Sequence, residues 1–139
     1  MPPEPGSARL ARAWLQRARG NLARAKQPRP AEGFWEDLCF DAQQAAEKAV
    51  KSVLVLFAVD FPRTHQIVEL LLLLRQAGHE APPDVWRAHG LSEYAVVSRY
   101  PVSEEPVDPV RPVGEEEYRR AVELAESVVR WAEGVVRGV

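Results

Sequence analysis

Twelve prolines punctuate this 139-residue chain, and their placement decides most of what it can fold into. They leave five proline-free windows: 6–27, 31–61, 63–81, 84–100 and 113–139. Proline lacks a backbone donor and its ring clashes with the preceding turn, so helix interiors exclude it. The windows, 17 to 31 residues long, have helix length and exceed the usual strand of about five or six residues. Apolar residues recur inside them at helical spacing. Leu10, Trp14, Ala18 and Leu22 form one stripe, and Phe34, Leu38, Ala45, Ala49, Val53 and Leu56 another. In the last window Tyr118, Val122, Ala125, Val129, Ala132 and Val136 alternate by four and three, the seam spacing of a bundle helix. No window alternates with period two. The fold class is all-α: an antiparallel, up-and-down helical bundle of about five helices.

Boundary residues fit these windows. Ser7, Thr64 and Asp84 are the expected N-caps of the first, third and fourth helices. Gly114-Glu115-Glu116-Glu117 places carboxylates in the first turn of the fifth, where the helix dipole favours them. Tyr100 precedes Pro101, which pushes it out of the α region, so helix four is expected to stop near Arg99. Segment 101–112, PVSEEPVDPVRP, has four prolines and reads as an extended, exposed crossover. With no internal repeat, residues 1–139 are expected to form one domain whose first, second, third and fifth helices make the main bundle.

Composition narrows the function classes. A net charge of −2 gives no electrostatic case for a nucleic-acid coat protein, and no DNA partner is expected. One cysteine, Cys39, excludes an internal disulfide framework and fits a reducing compartment. The start, MPPEPGSARLAR, lacks an apolar signal core, and the longest apolar run, Leu70 to Leu74, is too short to span a bilayer. A cytoplasmic protein without membrane partners is expected.

Few residues can carry chemistry. His65, His79 and His89 are scattered over different windows, and a lone cysteine makes no thiolate cluster, so no metal or other cofactor is expected. No glycine precedes a lysine in phosphate-loop spacing. Nucleotidyl transfer through two metal ions needs carboxylates spaced DxD. The five aspartates, Asp37, Asp41, Asp60, Asp84 and Asp108, contain no such pair.

Three polar clusters remain. In the second window Gln44, Glu47, Lys48 and Lys51 fall at i, i+3, i+4 and i+7 and share one helix face, with Gln43 one position further round. They read either as a solvated stripe opposite the Ala45/Ala49/Val53 core face, or as a polar strip lining an interhelical groove. In the second case Lys48 and Lys51 offer cations and Gln44 amide donors. Arg99-Tyr100-Pro101 reads as helix termination, or as an anion site in which Arg99 grips phosphate and Tyr100 faces a base. In Pro62-Arg63-Thr64-His65, Thr64 caps the third helix and His65 fills its first turn; free N–H groups beside Arg63 could also hold an anion.

Taken together, these stretches resemble the HEPN domain family over about residues 8 to 137. The resemblance runs from WLQRARGNLARA through FDAQQAAEKAVKSVL and PRTHQIVELL to YAVVSRYP and an Ala/Glu-rich last helix. Its specific part is FxxQQAxEKAxK followed some fifty residues later by YxxxxRYP. The resemblance implies an antiparallel helical bundle, frequent homodimerisation and partnership with a separately encoded minimal nucleotidyltransferase. For that enzyme such domains have been viewed as the substrate-binding subunit. It points to Gln43, Gln44, Glu47 and Lys48, to Arg63 and His65, and to Arg99 and Tyr100. Many family members are ribonucleases with an R-x(4–6)-H arrangement, which this chain lacks. Arg63–His65 and Arg87–His89 are two apart, Arg75–His79 leaves three residues between, and no histidine follows Arg99.

Two functions follow as expectations. One is a non-catalytic nucleotide-binding and partner-binding module acting beside a minimal nucleotidyltransferase in trans. The other is a metal-independent endoribonuclease, the toxin of a toxin–antitoxin pair, with Arg99 as phosphate clamp and His65 as acid or base. A homodimer is expected as well. Ile67, Val68 and Leu70 to Leu74 make helix three apolar nearly all round, and Val50, Leu54, Phe57 and Trp35 lie off the main stripe of helix two.

Overall fold

The computed structural model describes residues 4–97 and 112–138. Among them every regular element is helical: α1 (Pro5–Ala25), α2 (Trp35–Leu56), α3 (Ile67–Gln76), α4 (Pro83–Trp86), a 3-10 stretch (Arg87–Glu93), α5 (Tyr94–Val97) and α6 (Glu115–Arg137). The 101–112 crossover lies outside the described residues but for its last position, and so does the expected stop of helix four near Arg99. No helix of the described residues is long and apolar enough to cross a membrane.

The fourth window is broken rather than one continuous helix. Val85, Ala88, Leu91 and Tyr94 are all buried, and they recur every three residues. A 3-10 helix has three residues per turn and stacks such positions on one line, whereas an α-helix would rotate them away from the core. The caps also differ from the sequence expectation. α1 starts at Pro5, two residues before Ser7, because proline is preformed for the first helical position. α4 begins at Pro83 for the same reason, leaving Asp84 inside its first turn. α3 starts at Ile67, so Thr64 stands ahead of the helix; its hydroxyl accepts from Gln66 N–H and donates to Glu69. The Ile67 N–H is capped instead by the buried Ser92 hydroxyl of the 3-10 stretch, at 3.0 Å. α6 begins after Gly114 with three glutamates in its first turn, as the sequence indicates.

Side-chain pairs fix the directions. Arg19 meets Glu133 and Lys26 meets Glu126, so α1 and α6 are antiparallel. Lys48 reaches Asn21 while Arg24 meets Asp41, so α1 and α2 are antiparallel too. Glu36 at the start of α2 accepts from Val113 N–H just before α6, tying the two helix starts together. Buried alanines line these seams: Ala11, Ala18 and Ala25 in α1, Ala42, Ala45, Ala46 and Ala49 in α2, Ala121, Ala125 and Ala132 in α6. Small side chains allow short interaxial distances. α1, α2 and α6 therefore form the main bundle, and α3 packs chiefly on α2 and the 3-10 stretch rather than as an equal fourth member. Its end of the core is filled by larger groups: Leu54, Ile67, Leu70, Leu71, Leu74 and Leu91.

This packing shifts the first stripe. Leu10 is 53% exposed and Trp14 half-buried, while Ala11 and Leu15 face inward, because close approach to α2 admits alanine and not tryptophan. It also makes α2 the central helix. Fifteen of its 22 residues are buried, including Asp41, Gln43, Glu47, Lys51 and Ser52.

Candidate functional site

The polar face of α2 is not a solvated stripe. Gln43 is 0%, Glu47 3% and Lys51 9% exposed. Burying a charge is costly unless it is paired and hydrogen-bonded, and here no buried polar side-chain atom of the strip lacks a partner. Glu47 is the hub. Its Oε1 accepts from Gln43 Nε2 and faces His65 Nδ1, both at 2.8 Å, and its Oε2 accepts from Lys51 Nζ at 2.9 Å. Gln44 Nε2 donates to Gln43 Oε1 at 2.7 Å and extends the chain outward. Burial by itself raises the Glu47 carboxyl; the hydrogen bonds from Lys51, His65 and Gln43 outweigh it and hold the group below its ordinary value. An ionised carboxylate only accepts, so it fixes the proton of His65 on Nδ1 and leaves Nε2 as the free ring nitrogen. The His65 side chain is 48% exposed.

Two aromatic rings close around Lys51. Its Nζ lies 5.7 Å from the Trp14 centroid and 5.5 Å from that of Phe61, and the two rings meet edge to face at 6.4 Å. Neighbouring Lys48 follows a different course. It donates to Asn21 Oδ1 at 2.8 Å, and Asn21 Nδ2 donates in turn to Asp41 Oδ1 at 3.2 Å. Burial lowers the Lys48 ammonium from its usual value; Glu47 opposes the lowering and Arg17 adds to it. Lys48 borders a groove of about 440 Å³ whose other walls are Leu10, Ala13, Trp14 and Arg17 of α1.

Of the residues singled out in the sequence, the fold thus brings together Gln43, Gln44, Glu47, Lys51 and His65. Lys48 stands next to them on the groove side. Arg63 is exposed on the connection that carries His65, outside the hydrogen-bonded cluster. His65 precedes α3 instead of filling its first turn, and that freedom lets its ring turn back to Glu47. Arg99 and Tyr100 lie outside the described residues. Sequence reasoning missed Trp14, Arg17, Asn21 and Phe61. The spacing of Leu10, Trp14, Arg17 and Asn21 at i, i+4, i+7 and i+11 does place them on one face. No group of three or more His, Cys, Asp or Glu side chains suited to a metal occurs among the described residues.

The family model for the HEPN domain matches residues 11–135. The fold is similar to the crystal structure of TT1696 from Thermus thermophilus, with 32% identity and a TM-score of 0.72, covering 90% of this chain and 97% of that one. It is also similar to ST0689, described as an archaeal HEPN homologue, with 27% identity and a TM-score of 0.66, covering 91% and 97%. No curated protein matches the sequence.

Proposed function

The chain belongs to the HEPN domain family, and from this we propose that it is a non-catalytic nucleotide-binding module acting beside a separately encoded minimal nucleotidyltransferase. The observation that carries the reading is the division of labour along α2. Glu47, Lys51 and Gln43 are buried and bonded to one another, which suits a scaffold. A carboxylate held below its ordinary value is a poor proton donor near neutral pH. Lys48 and Gln44, only partly buried, stand at the edge of that scaffold where a ligand can reach them. In this role Arg63, Arg99 and Tyr100 supply further anion and base contacts, Arg99 the strongest among them. The partner delivers the metal-binding carboxylates that the aspartate spacing here does not provide. Isothermal titration with the common nucleotides, with and without magnesium, tests the binding. Co-purification with a small nucleotidyltransferase from a neighbouring reading frame tests the partnership. Absence of both ends the reading.

One observation favours the second reading, a metal-independent endoribonuclease toxin. A half-exposed histidine oriented by a buried carboxylate is the geometry of a general acid or base. Cleavage of RNA in the presence of a chelator, abolished by His65→Ala, would establish it. Intact RNA at high protein concentration would remove it.

A further inference from the structure

The groove between α1 and α2 has a composition that the scaffold beside it does not explain. Its lining residues are Leu10, Ala13, Trp14, Arg17 and Lys48: three apolar groups, two cations and no carboxylate. Two like charges are gathered here without a counter-ion among the lining residues. The Arg17 side chain, like those of Arg9 and Arg12 earlier in α1, has no hydrogen bond or ion pair among the described residues, whereas Arg19, Arg24 and Lys26 each pair with an acid. Of the three without a partner only Arg17 lines the groove. Lys48 uses one of its three donors on Asn21, which fixes the ammonium in place, and the remaining two have no partner among the described residues. Burial is the main cause that lowers the Lys48 ammonium; Glu47 and Asp41, which do not line the groove, oppose the lowering, and Arg17 adds to it. Beside them Trp14 and the 53%-exposed Leu10 give the groove an apolar wall. The Trp14 ring is braced by Phe61 and by the Lys51 ammonium, so its orientation is preset.

Charge and shape together select a ligand. A phosphate monoester carries about −1.5 to −2 at neutral pH, which matches two cations. Arginine binds such oxygens in a fork and lysine as a point charge. A flat ring attached to that phosphate would find the tryptophan face, since bases stack on aromatic side chains irrespective of sequence. The groove volume of about 440 Å³ is within the range of small-molecule sites. The wall has no carboxylate to share a magnesium ion with the phosphates, so a magnesium-bound triphosphate, its charge partly neutralised by the metal, fits two cations less well than a free monophosphate.

We propose that this groove is a nucleoside monophosphate site, with the phosphate between Arg17 and Lys48 and the base against Trp14. The proposal rests on the nucleotide-binding reading above and assigns it a place, a ligand class and two residues, Trp14 and Arg17, of its own. The test is calorimetric titration of the intact chain with adenosine and cytidine monophosphates, inorganic phosphate, adenosine, and adenosine triphosphate with and without magnesium. The monophosphates should bind without metal, and phosphate or nucleoside alone at least roughly tenfold more weakly. Magnesium should not improve the triphosphate. Arg17→Ala should weaken the monophosphates roughly tenfold or more, and Trp14→Leu about fivefold or more. Arg12→Ala, also exposed on α1 but outside the groove, should leave affinity unchanged. Arg17 is exposed, so its variant stays informative even if Trp14→Leu perturbs folding, which circular dichroism would show. Monophosphate binding unaffected by Arg17→Ala overturns the groove assignment and leaves the nucleotide-binding reading standing. No binding of any nucleotide by the wild type overturns both.

Discussion

Glu47, only 3% exposed, is bonded to three side chains from two segments, so its removal affects more than one contact. Glu47→Ala leaves the Lys51 ammonium enclosed by Trp14 and Phe61 without its anion. Breaking one half of a buried pair costs about 3–5 kcal/mol, and urea denaturation should show a loss of that order. Glu47→Gln combined with Lys51→Met removes both charges and should recover most of it; a double variant as unstable as Glu47→Ala would show that the ion pair is not the source. The same carboxyl predicts an acid dependence. Its folded-state value lies below the ordinary 4.5, so its contribution is complete above about pH 4.5 and is lost as pH falls through the folded value. Urea midpoints of the wild type should therefore drop on acidification below about pH 4.5, and those of Glu47→Gln should drop less. Parallel curves would assign acid lability to other carboxylates. The shared face of Gln44, Glu47, Lys48 and Lys51 was legible from spacing alone. The burial of Glu47 and Lys51 within it was not, because Lys51 is enclosed by Trp14 and Phe61, and no local pattern tells that part of a polar face will meet rings from two other segments.

Two helix ends terminate in the same hydrogen-bond pattern with unequal residues. After α3, Gly78 adopts φ +94, with its N–H on Arg75 O and the His79 N–H on Leu74 O. After α2, Ala58 takes φ 56, with its N–H on Val55 O and the Val59 N–H on Leu54 O. Both are Schellman caps, but an L-residue in the left-handed region costs about 1–2 kcal/mol where glycine does not. Ala58→Gly should raise stability by about 0.5–1 kcal/mol, the gain reduced by glycine's greater chain entropy. Gly78→Ala should lower it by about 1 kcal/mol or more. Thermal unfolding measures both, and an Ala58→Gly protein that melts below the wild type would show that the alanine side chain contributes packing there. The two caps sit against each other through the stacked Phe57 and His79 rings, whose centroids are 3.7 Å apart. At this scale the proline windows were a sound guide to helix existence and a weaker one to helix starts. Capping side chains compete with Pro5 and Pro83 for the first turn, and tertiary caps such as Ser92 leave no local trace. The period of three in Val85, Ala88, Leu91 and Tyr94 could have revealed the 3-10 stretch, since it is a sequence pattern like any other.

At the scale of the whole molecule, most of the apolar surplus that the sequence places on helix three is buried in the fold. Helix three looked apolar all round, yet α3 buries Ile67, Leu70, Leu71 and Leu74 against α2 and the 3-10 stretch. What faces outward is Val68, 39% exposed, and Leu72, 41% exposed, one turn apart. Arrangement of the helices was legible because short links force antiparallel neighbours; which helix lies at the centre was not, since α2 carries both the alanines and the buried charges. A homodimer built on this face, which we propose, would accordingly be a modest association. Two half-exposed aliphatic groups per protomer bury little area, well below the roughly 1,200 Å² of a stable interface if nothing else joins them. A two-fold pairing of α3 faces would then populate dimers only at micromolar concentration and above. Light scattering across a concentration series should show the mass rising from one chain toward two, and Leu72→Glu should hold it at one by placing two like charges across the axis. A mass fixed at one chain throughout ends the dimer proposal. A dimer unmoved by Leu72→Glu transfers its interface to another face. Phe34 ahead of α2 and Leu10 on α1, the other exposed large apolar groups among the described residues, are then the positions to test by the same substitution.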